Sequence, residues 1–130
     1  MHDMADTLDQ KEMKGSERLK FALAGASIFT IKSMKTDRHY TYKLKKGNVR
    51  YFCAVNSGDT FIPIGSFRFD DYQRATYDAP SMKALKWFLR NPESEEVAFY
   101  HMGRCGRCGR PLTNPESIES GYGPECIKHV

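Results

Sequence analysis

Apolar and polar residues alternate along the middle of the chain in the pattern of antiparallel strands. In residues 39–46, Tyr40, Tyr42 and Leu44 alternate with polar or basic residues. This period of two predicts a strand with one buried face and one solvent face. Similar patterns predict further strands over residues 26–34, 49–56, 60–69 and 96–101. Within 60–69, Pro63 and Gly65 indicate an edge position or a β-bulge.

Two other segments have the spacing of amphipathic helices. Residues 16–24 form a short predicted helix that Ser16 can cap and Gly25 can end. Residues 80–91 form a longer one with an apolar stripe, and Pro92 ends it. These elements predict an α+β fold, in which an antiparallel sheet of about four or five strands is covered by a helix.

Composition and charge narrow the class of protein. The 130 residues are 40% hydrophobic and 28% charged, an ordinary globular composition. The net charge is only +4, but basic residues concentrate between positions 32 and 50. No apolar run reaches membrane-spanning length and the N-terminus does not resemble a secretory signal, so a cytoplasmic location without a membrane partner is expected. Cysteines in such a location are more often metal ligands or free thiols than disulfides.

Three of the four cysteines lie in the C-terminal segment. Cys105 and Cys108 form a Cys-x2-Cys pair followed by Gly109, a spacing that lets two thiolates bind one ion. Cys126 follows a Gly-Pro pair typical of a helix start, so it is predicted in the first turn of a terminal helix. These features predict one structural Zn²⁺ in a treble-clef-like knuckle. Free thiols or a redox pair are the alternative.

A tetrahedral structural site needs a fourth ligand. His129 is one helical turn beyond Cys126, and spacing alone favours it, although it lies close to the fraying chain end. His101, on the strand that enters the knuckle, is the second candidate. Cys53 is a weaker third candidate and is predicted to be a buried core thiol. Four protein ligands leave no open position for water, so a catalytic zinc is not expected.

The segment CGRCGRPLTNPESIESGYGPEC, residues 105–126, resembles the zinc-binding motif of a domain of unknown function found in phage and actinobacterial proteins. The resemblance extends upstream and covers roughly residues 19–126. It implies a zinc ion and a phage or prophage origin, but no assigned activity. It also favours His101 as the fourth ligand, because members often have a histidine there and often lack one equivalent to His129.

The sequence thus predicts three units. They are a flexible N-terminal tail (1–18), an α+β domain (19–100) and a zinc-binding knuckle (101–130). The only predicted cofactor is one structural zinc ion.

Basic residues on the predicted strands and knuckle indicate a nucleic-acid-binding surface. Phosphate contacts from Lys and Arg, together with stacking on aromatic rings such as Tyr40 and Tyr42, are typical of single-strand binding. Alternatively, the tyrosines are core residues, since they lie opposite Lys43 and Lys45, and the lysines protect a sheet edge from aggregation. The candidate residues are Lys32, Lys35, Lys43, Lys45, Lys46, Arg50, Arg104, Arg107 and Arg110.

Two other functions compete with this hypothesis. The protein could be a binding module that inhibits or redirects a host protein through acidic residues within 93–96 or 116–125. A treble-clef nuclease would need a general base and a second metal, for which only the isolated His39 and Asp70 are available. The preferred prediction is a non-catalytic phage-type accessory protein that binds nucleic acid, and the host-protein module is the alternative. No small-molecule substrate is indicated.

Overall fold

The computed structural model describes residues 11–71 and 79–130. Within these residues, six strands form one antiparallel sheet in the order β1-β6-β2-β3-β4-β5. The strands are β1 (Lys11–Met13), β2 (Ala26–Ser33), β3 (His39–Lys46), β4 (Arg50–Ser57), β5 (Thr60–Arg68) and β6 (Val97–His101). The helices are α1 (Glu17–Ala22), α2 (Pro80–Arg90), α3 (Pro115–Ser120) and a final 3₁₀ turn (Cys126–His129). None of the helices in these ranges is long and apolar enough to span a membrane.

The predicted α+β class and antiparallel sheet are confirmed, but the described part of the chain has six strands rather than four or five. The additional strand, β1, lies within the segment predicted to be a flexible tail, residues 1–18. Its three residues are too few to give a periodic pattern, and backbone pairing with β6 places Lys11 opposite His101. Residues 11–18 therefore contain β1 and the start of α1. Residues 1–10 lie outside the described part of the chain.

Alternation along the strands gives the sheet two different faces. The face towards α1 and α2 holds an aromatic core, in which Phe29 and Phe99 stack with ring centroids 4.8 Å apart. Phe88 of α2 stacks on Phe99 from above, at 5.3 Å. Tyr42 is wholly buried on this face, and its hydroxyl donates to the Ser81 carbonyl at 2.6 Å. Tyr42 is therefore a core residue and not a stacking platform for bases; the sequence had left both interpretations open.

The edge position of β5 was predicted by its proline and glycine. β5 is the outer strand of the sheet beside β4. The register between the two strands shifts between Cys53 and Ala54, whose partners are Gly65 and Pro63. At this bulge Gly65 has φ 146°, a backbone conformation that favours glycine.

The C-terminal segment shares the core of the sheet instead of forming a separate core. The ring of Phe21, in α1, lies 5.7 Å from Tyr122 and 5.8 Å from His101, centroid to centroid. A Cβ built on Gly106 would come within 2.7 Å of the Phe21 ring, so the knuckle backbone rests directly on this side chain. The predicted boundary at residue 101 is therefore not a boundary in the packing.

Arg18 is a buried charged residue that joins three backbone segments. Its Nε donates to the Met13 carbonyl at 3.0 Å, and its Nη1 donates to the Ser94 carbonyl at 2.7 Å. Its Nη2 donates to the Val97 carbonyl at 3.1 Å. These bonds hold the end of β1 against the chain that enters β6.

Replacing Arg18 with alanine should lower the free energy of unfolding by about 2–4 kcal/mol, because three carbonyl groups lose a charged donor in a buried site. Urea unfolding, followed by circular dichroism, measures this change. Lys20→Ala is the matched control on the same helix, where the side chain is exposed, and should change stability by less than about 0.5 kcal/mol. Equal effects of the two variants would contradict the assigned role of Arg18.

Candidate functional site

A tight turn after β6 places Cys105 and Cys108 together. Arg104 and Pro111 form an isolated antiparallel bridge, and the N–H of Cys105 donates to the Arg110 carbonyl at 2.9 Å. Inside this hairpin the N–H of Gly109 donates to the Cys105 carbonyl, also at 2.9 Å. Gly109 has φ 79°, which a residue with a Cβ rarely adopts. The glycine after the second cysteine thus allows the chain to turn both thiols to one side.

The third thiol arrives from the other end of the segment. Asn114 caps α3 by accepting a hydrogen bond from the Ser117 N–H at 2.8 Å, and Gly121 ends the helix at φ 84°. The Gly121 carbonyl then accepts from the N–H of Gly106 in the knuckle at 3.0 Å. This bond holds the end of α3 against the knuckle. The final 3₁₀ turn, which follows, therefore places Cys126 beside the first two thiols.

The Sγ atoms of Cys105, Cys108 and Cys126 all lie within 4.8 Å of one another. Sulfurs bound tetrahedrally at about 2.3 Å from a zinc ion would be about 3.8 Å apart. This separation lies within the 4.8 Å limit, so the three sulfurs are close enough to contact one ion. The structure confirms that these three cysteines can hold a metal ion, and thiolate ligands favour soft or borderline metals.

Backbone hydrogen bonds favour a negatively charged sulfur at Cys105. Burial raises the pKa of the Cys105 thiol, but backbone N–H groups of Gly123, Cys108 and Arg107 outweigh it and lower the pKa to about 7. The pKa of Cys126 is raised, first by burial and also by the neighbouring Cys108 and Cys105, although Arg107 acts in the opposite direction. The Nη1 of Arg107 is 3.6 Å from the Cys126 sulfur. The cluster thus provides the donors that thiolates need in a buried site.

His101 does not join the sulfurs. It is wholly buried, and its Nδ1 accepts a hydrogen bond from the Gly103 N–H at 3.0 Å. Its Nε2 therefore carries the proton and donates to the Ile118 carbonyl of α3. Because both ring nitrogens bind the backbone, this geometry contradicts the expectation that His101 is the fourth ligand. The ring instead links the end of β6 to α3.

The other two candidates for the fourth position also lie outside the cluster in the described residues. His129 is exposed and follows Cys126 by three residues in the 3₁₀ turn. Cys53 is buried in the sheet core, where burial raises its pKa to about 12. Cys53 therefore stays a neutral thiol, in agreement with its predicted core position.

The sheet face opposite α1 and α2 is basic and partly exposed. The strand register places Lys43 beside Ala54, Lys45 beside Phe52, and Arg50 beside Arg68 on this face. Lys32 lies further along the same face, paired with His39. We call this surface the open face; its basic residues are Lys32, Lys43, Lys45, Arg50 and Arg68.

The open face continues onto the cysteine knuckle through a groove of about 520 Å³. The sheet side of the groove has Lys43, Lys45 and Phe61, whereas the knuckle side has Arg104 and Cys108. A basic residue of the knuckle and two of the sheet thus line one cavity. Of the predicted interface, the structure therefore brings together Lys32, Lys43, Lys45, Arg50 and Arg104.

The remaining predicted basic residues point elsewhere. Lys46 lies on the helix-covered face, with its Nζ 5.2 Å from the centre of the Phe69 ring. Lys35, in the turn after β2, pairs with Glu96 at 3.5 Å. Arg107 contacts the Cys126 sulfur, and Arg110 is an exposed residue of the knuckle hairpin.

The aromatic residues of the open face were not predicted from the sequence. Phe52 is 55% exposed and lies across from Lys45. The Lys43 Nζ is 5.8 Å from the centre of the Phe61 ring. Tyr100 of β6 lies on the same face, opposite Thr30. The strand register identifies these aromatic residues, because a residue across from a solvent-facing lysine lies on the same face of the sheet.

Comparison with known proteins assigns only the C-terminal part of the chain. Residues 95–130 match a family of unknown function, DUF6011. The matched range contains β6 and all three clustered cysteines. No curated protein and no solved structure matches the chain.

Changing Cys105 or Cys126 to serine should abolish stoichiometric metal binding, because a hydroxyl is a poor substitute for a thiolate ligand. The measurement is metal content per chain, by plasma mass spectrometry of protein purified under reducing conditions. Cys53→Ala is the matched control, since it removes a cysteine outside the cluster and should retain the metal. Retention of the metal by both serine variants would show that the cluster is not the site.

Proposed function

We propose that this protein is a non-catalytic accessory protein of phage type that binds single-stranded nucleic acid on its open face. In this proposal, a structural zinc ion fixes the knuckle that forms one side of the groove. The observation that supports it best is the continuity of basic and aromatic side chains from the sheet into the groove.

The charge of the open face supports a polyanionic ligand. Among residues 11–71 and 79–130, no carboxylate forms an ion pair with Lys43, Lys45 or Arg104. By contrast, Lys32 has Asp37 at 3.8 Å and Arg68 has Asp70 at 3.0 Å. Among the basic residues of the open face and the groove, those in the groove thus have no described ion pair, and phosphate groups would release their counterions on binding.

The aromatic side chains favour single strands over duplexes. The bases of a single strand are accessible and can stack on exposed rings, and such stacking contributes about 1–3 kcal/mol per base. Phe52 is exposed beside Lys45, and Phe61 lies in the groove beside Lys43. Cations next to ring faces match the alternation of phosphate and base along a single strand.

Zinc is the metal that best suits the cysteine cluster, because three thiolates and one imidazole form a common tetrahedral structural site. We propose His129 as the fourth ligand. In a 3₁₀ helix, residues three apart lie on the same side, so His129 is above Cys126. The knuckle and the terminal turn would then each supply two ligands, as in a treble clef. Such a site has a net negative charge, which Arg107 would offset.

The adjacent lysines of β3 offer a matched test of the nucleic-acid interface. Lys45→Ala should weaken binding of a labelled single-stranded oligonucleotide about three- to tenfold at low salt, because it removes a phosphate contact from the groove. Lys46→Ala removes the same charge from the opposite face and should have little effect. Phe52→Ala should also weaken binding, with less change in the salt dependence. Fluorescence anisotropy at several salt concentrations measures all three.

Two results would contradict the nucleic-acid function. One is the absence of binding to single or double strands at low salt. The other is equal weakening by Lys45→Ala and Lys46→Ala, which would indicate a nonspecific charge effect. Either outcome would favour the alternative of a module that binds a host protein in the cytoplasm.

The proposed fourth ligand can be tested with cobalt. His129→Ala should lower the affinity for Co²⁺ at least about tenfold, since water would replace a protein ligand. The visible absorption of tetrahedral cobalt reports the binding during titration. His39→Ala is the control, because His39 is an exposed histidine on the sheet. An unchanged affinity in the His129 variant would exclude this ligand.

A further inference from the structure

A second cleft, of about 530 Å³, lies between α2 and the hairpin that joins β2 to β3. Ile31 and Tyr40 line it from the sheet, and Ala84 and Trp87 line it from α2. Tyr40 belongs to the helix-covered face, so the cleft is separate from the groove between the open face and the knuckle. Its volume is within the range of sites for small organic ligands.

The mouth of the cleft is basic. Lys35 and Arg38 line it from the hairpin turn, and Lys83 lines it from α2. Glu96 is the one carboxylate among the described lining residues, and it lies 3.5 Å from the Lys35 Nζ. Lys35 is thus paired, whereas Arg38 forms no ion pair with any described carboxylate. An anionic group is the ligand that this arrangement attracts.

The hairpin turn that carries two of these cations has a defined shape. The Ser33 hydroxyl oxygen accepts hydrogen bonds from the N–H groups of Lys35 and Thr36, each at 3.3 Å. Asp37 has φ 59°, the only positive value for a non-glycine residue in the described ranges. Aspartate is one of the few residues other than glycine that adopts this left-handed conformation in turns. The turn therefore holds the backbone of Lys35 and Arg38 at the mouth of the cleft.

We propose that this cleft binds a nucleoside phosphate. The aromatic side chains of Tyr40 and Trp87 would contact the planar base, and Arg38 would contact the phosphate at a mouth that Lys35 and Lys83 also line. A nucleoside phosphate uses both the aromatic walls and the basic mouth of the cleft. A simple anion would use only the basic mouth, and a neutral aromatic compound only the walls. The phosphate could belong to a free nucleotide or to the end of a nucleic-acid strand, since the two have the same chemistry. The proposal does not depend on the nucleic-acid function of the open face.

Trp87 is the only tryptophan of the chain, so its fluorescence reports on this cleft directly. The intact protein is titrated with adenosine 5′-monophosphate and cytidine 5′-monophosphate, and separately with adenosine, cytidine and inorganic phosphate. Free tryptophan amide corrects for light absorbed by the bases. We expect a saturable change with the nucleotides that neither the nucleosides nor phosphate reproduce at the same concentrations. A 5′-phosphorylated oligonucleotide and its unphosphorylated form test the strand end as the source.

Charge reversal tests the location of the site. Arg38→Glu should weaken nucleotide binding about tenfold or more, because it places a carboxylate beside the phosphate. Lys20→Glu makes the same charge reversal at an exposed residue of α1 that lines neither this cleft nor the groove, and it should leave mononucleotide binding unchanged. Thermal unfolding of both variants checks that they remain folded. Calorimetric titration provides a second measurement of binding.

The outcomes separate this proposal from that for the open face. If Arg38→Glu weakens the binding of mononucleotides or of the phosphorylated oligonucleotide, the result supports a nucleotide site in the cleft. This conclusion holds whatever the open face binds. The absence of saturable binding of all phosphorylated probes would overturn it. Binding that is equally tight in the parent protein and in folded Arg38→Glu would also overturn it.

Discussion

The convergence of three cysteine sulfurs beside the end of β6 is the interaction on which the rest of the account depends. The segment after His101 contains a hairpin, a short helix and a 3₁₀ turn, and these elements are too small to form a core of their own. The segment packs on the aromatic rings of Phe21 and His101. A metal ion on the three sulfurs would close the other side and fix the hairpin against the sheet.

The shape of the groove between sheet and knuckle would depend on how the metal ion holds the hairpin against the sheet. Lys43 and Lys45 belong to the sheet and have fixed positions whatever the knuckle does. Arg104 and Cys108 belong to the hairpin, and their distance from the lysines depends on how the hairpin is held. The proposed zinc ion would take no part in chemistry. Its contribution would be to keep the knuckle arginine on the same surface as the lysines of the strand.

Alternation and turn residues in the sequence predicted β2 to β6 and α2 closely, because each of these elements repeats its pattern over several residues. Pro63 and Gly65 likewise predicted the irregular edge strand β5. β1 was not predicted, since three residues show no period and its pairing partner lies far away in sequence. Neither was α3, whose Pro115–Ser120 segment is too short and polar for an apolar stripe, although Asn114 and Pro115 are a helix-start signal.

At the sites, the sequence predicted local geometry better than long-range geometry. The Cys-x2-Cys pair and the Gly-Pro-x-Cys segment were sufficient to group three cysteines. The role of His101 was not predictable, because it depends on the Ile118 carbonyl of a helix that the sequence did not reveal. Tyr40 and Tyr42 were grouped with the lysines by nearness in sequence, whereas Phe52 and Phe61 reach them across strands. Which aromatic residue neighbours which cation depends on register, and register is a property of the folded sheet.

X-ray absorption at the zinc edge of the purified, reduced protein tests the proposed metal site directly. We expect one zinc per chain, with three sulfur neighbours at about 2.3 Å and one nitrogen neighbour at about 2.0–2.1 Å. A protein without zinc, or a zinc ion with fewer than three sulfur neighbours, would contradict it.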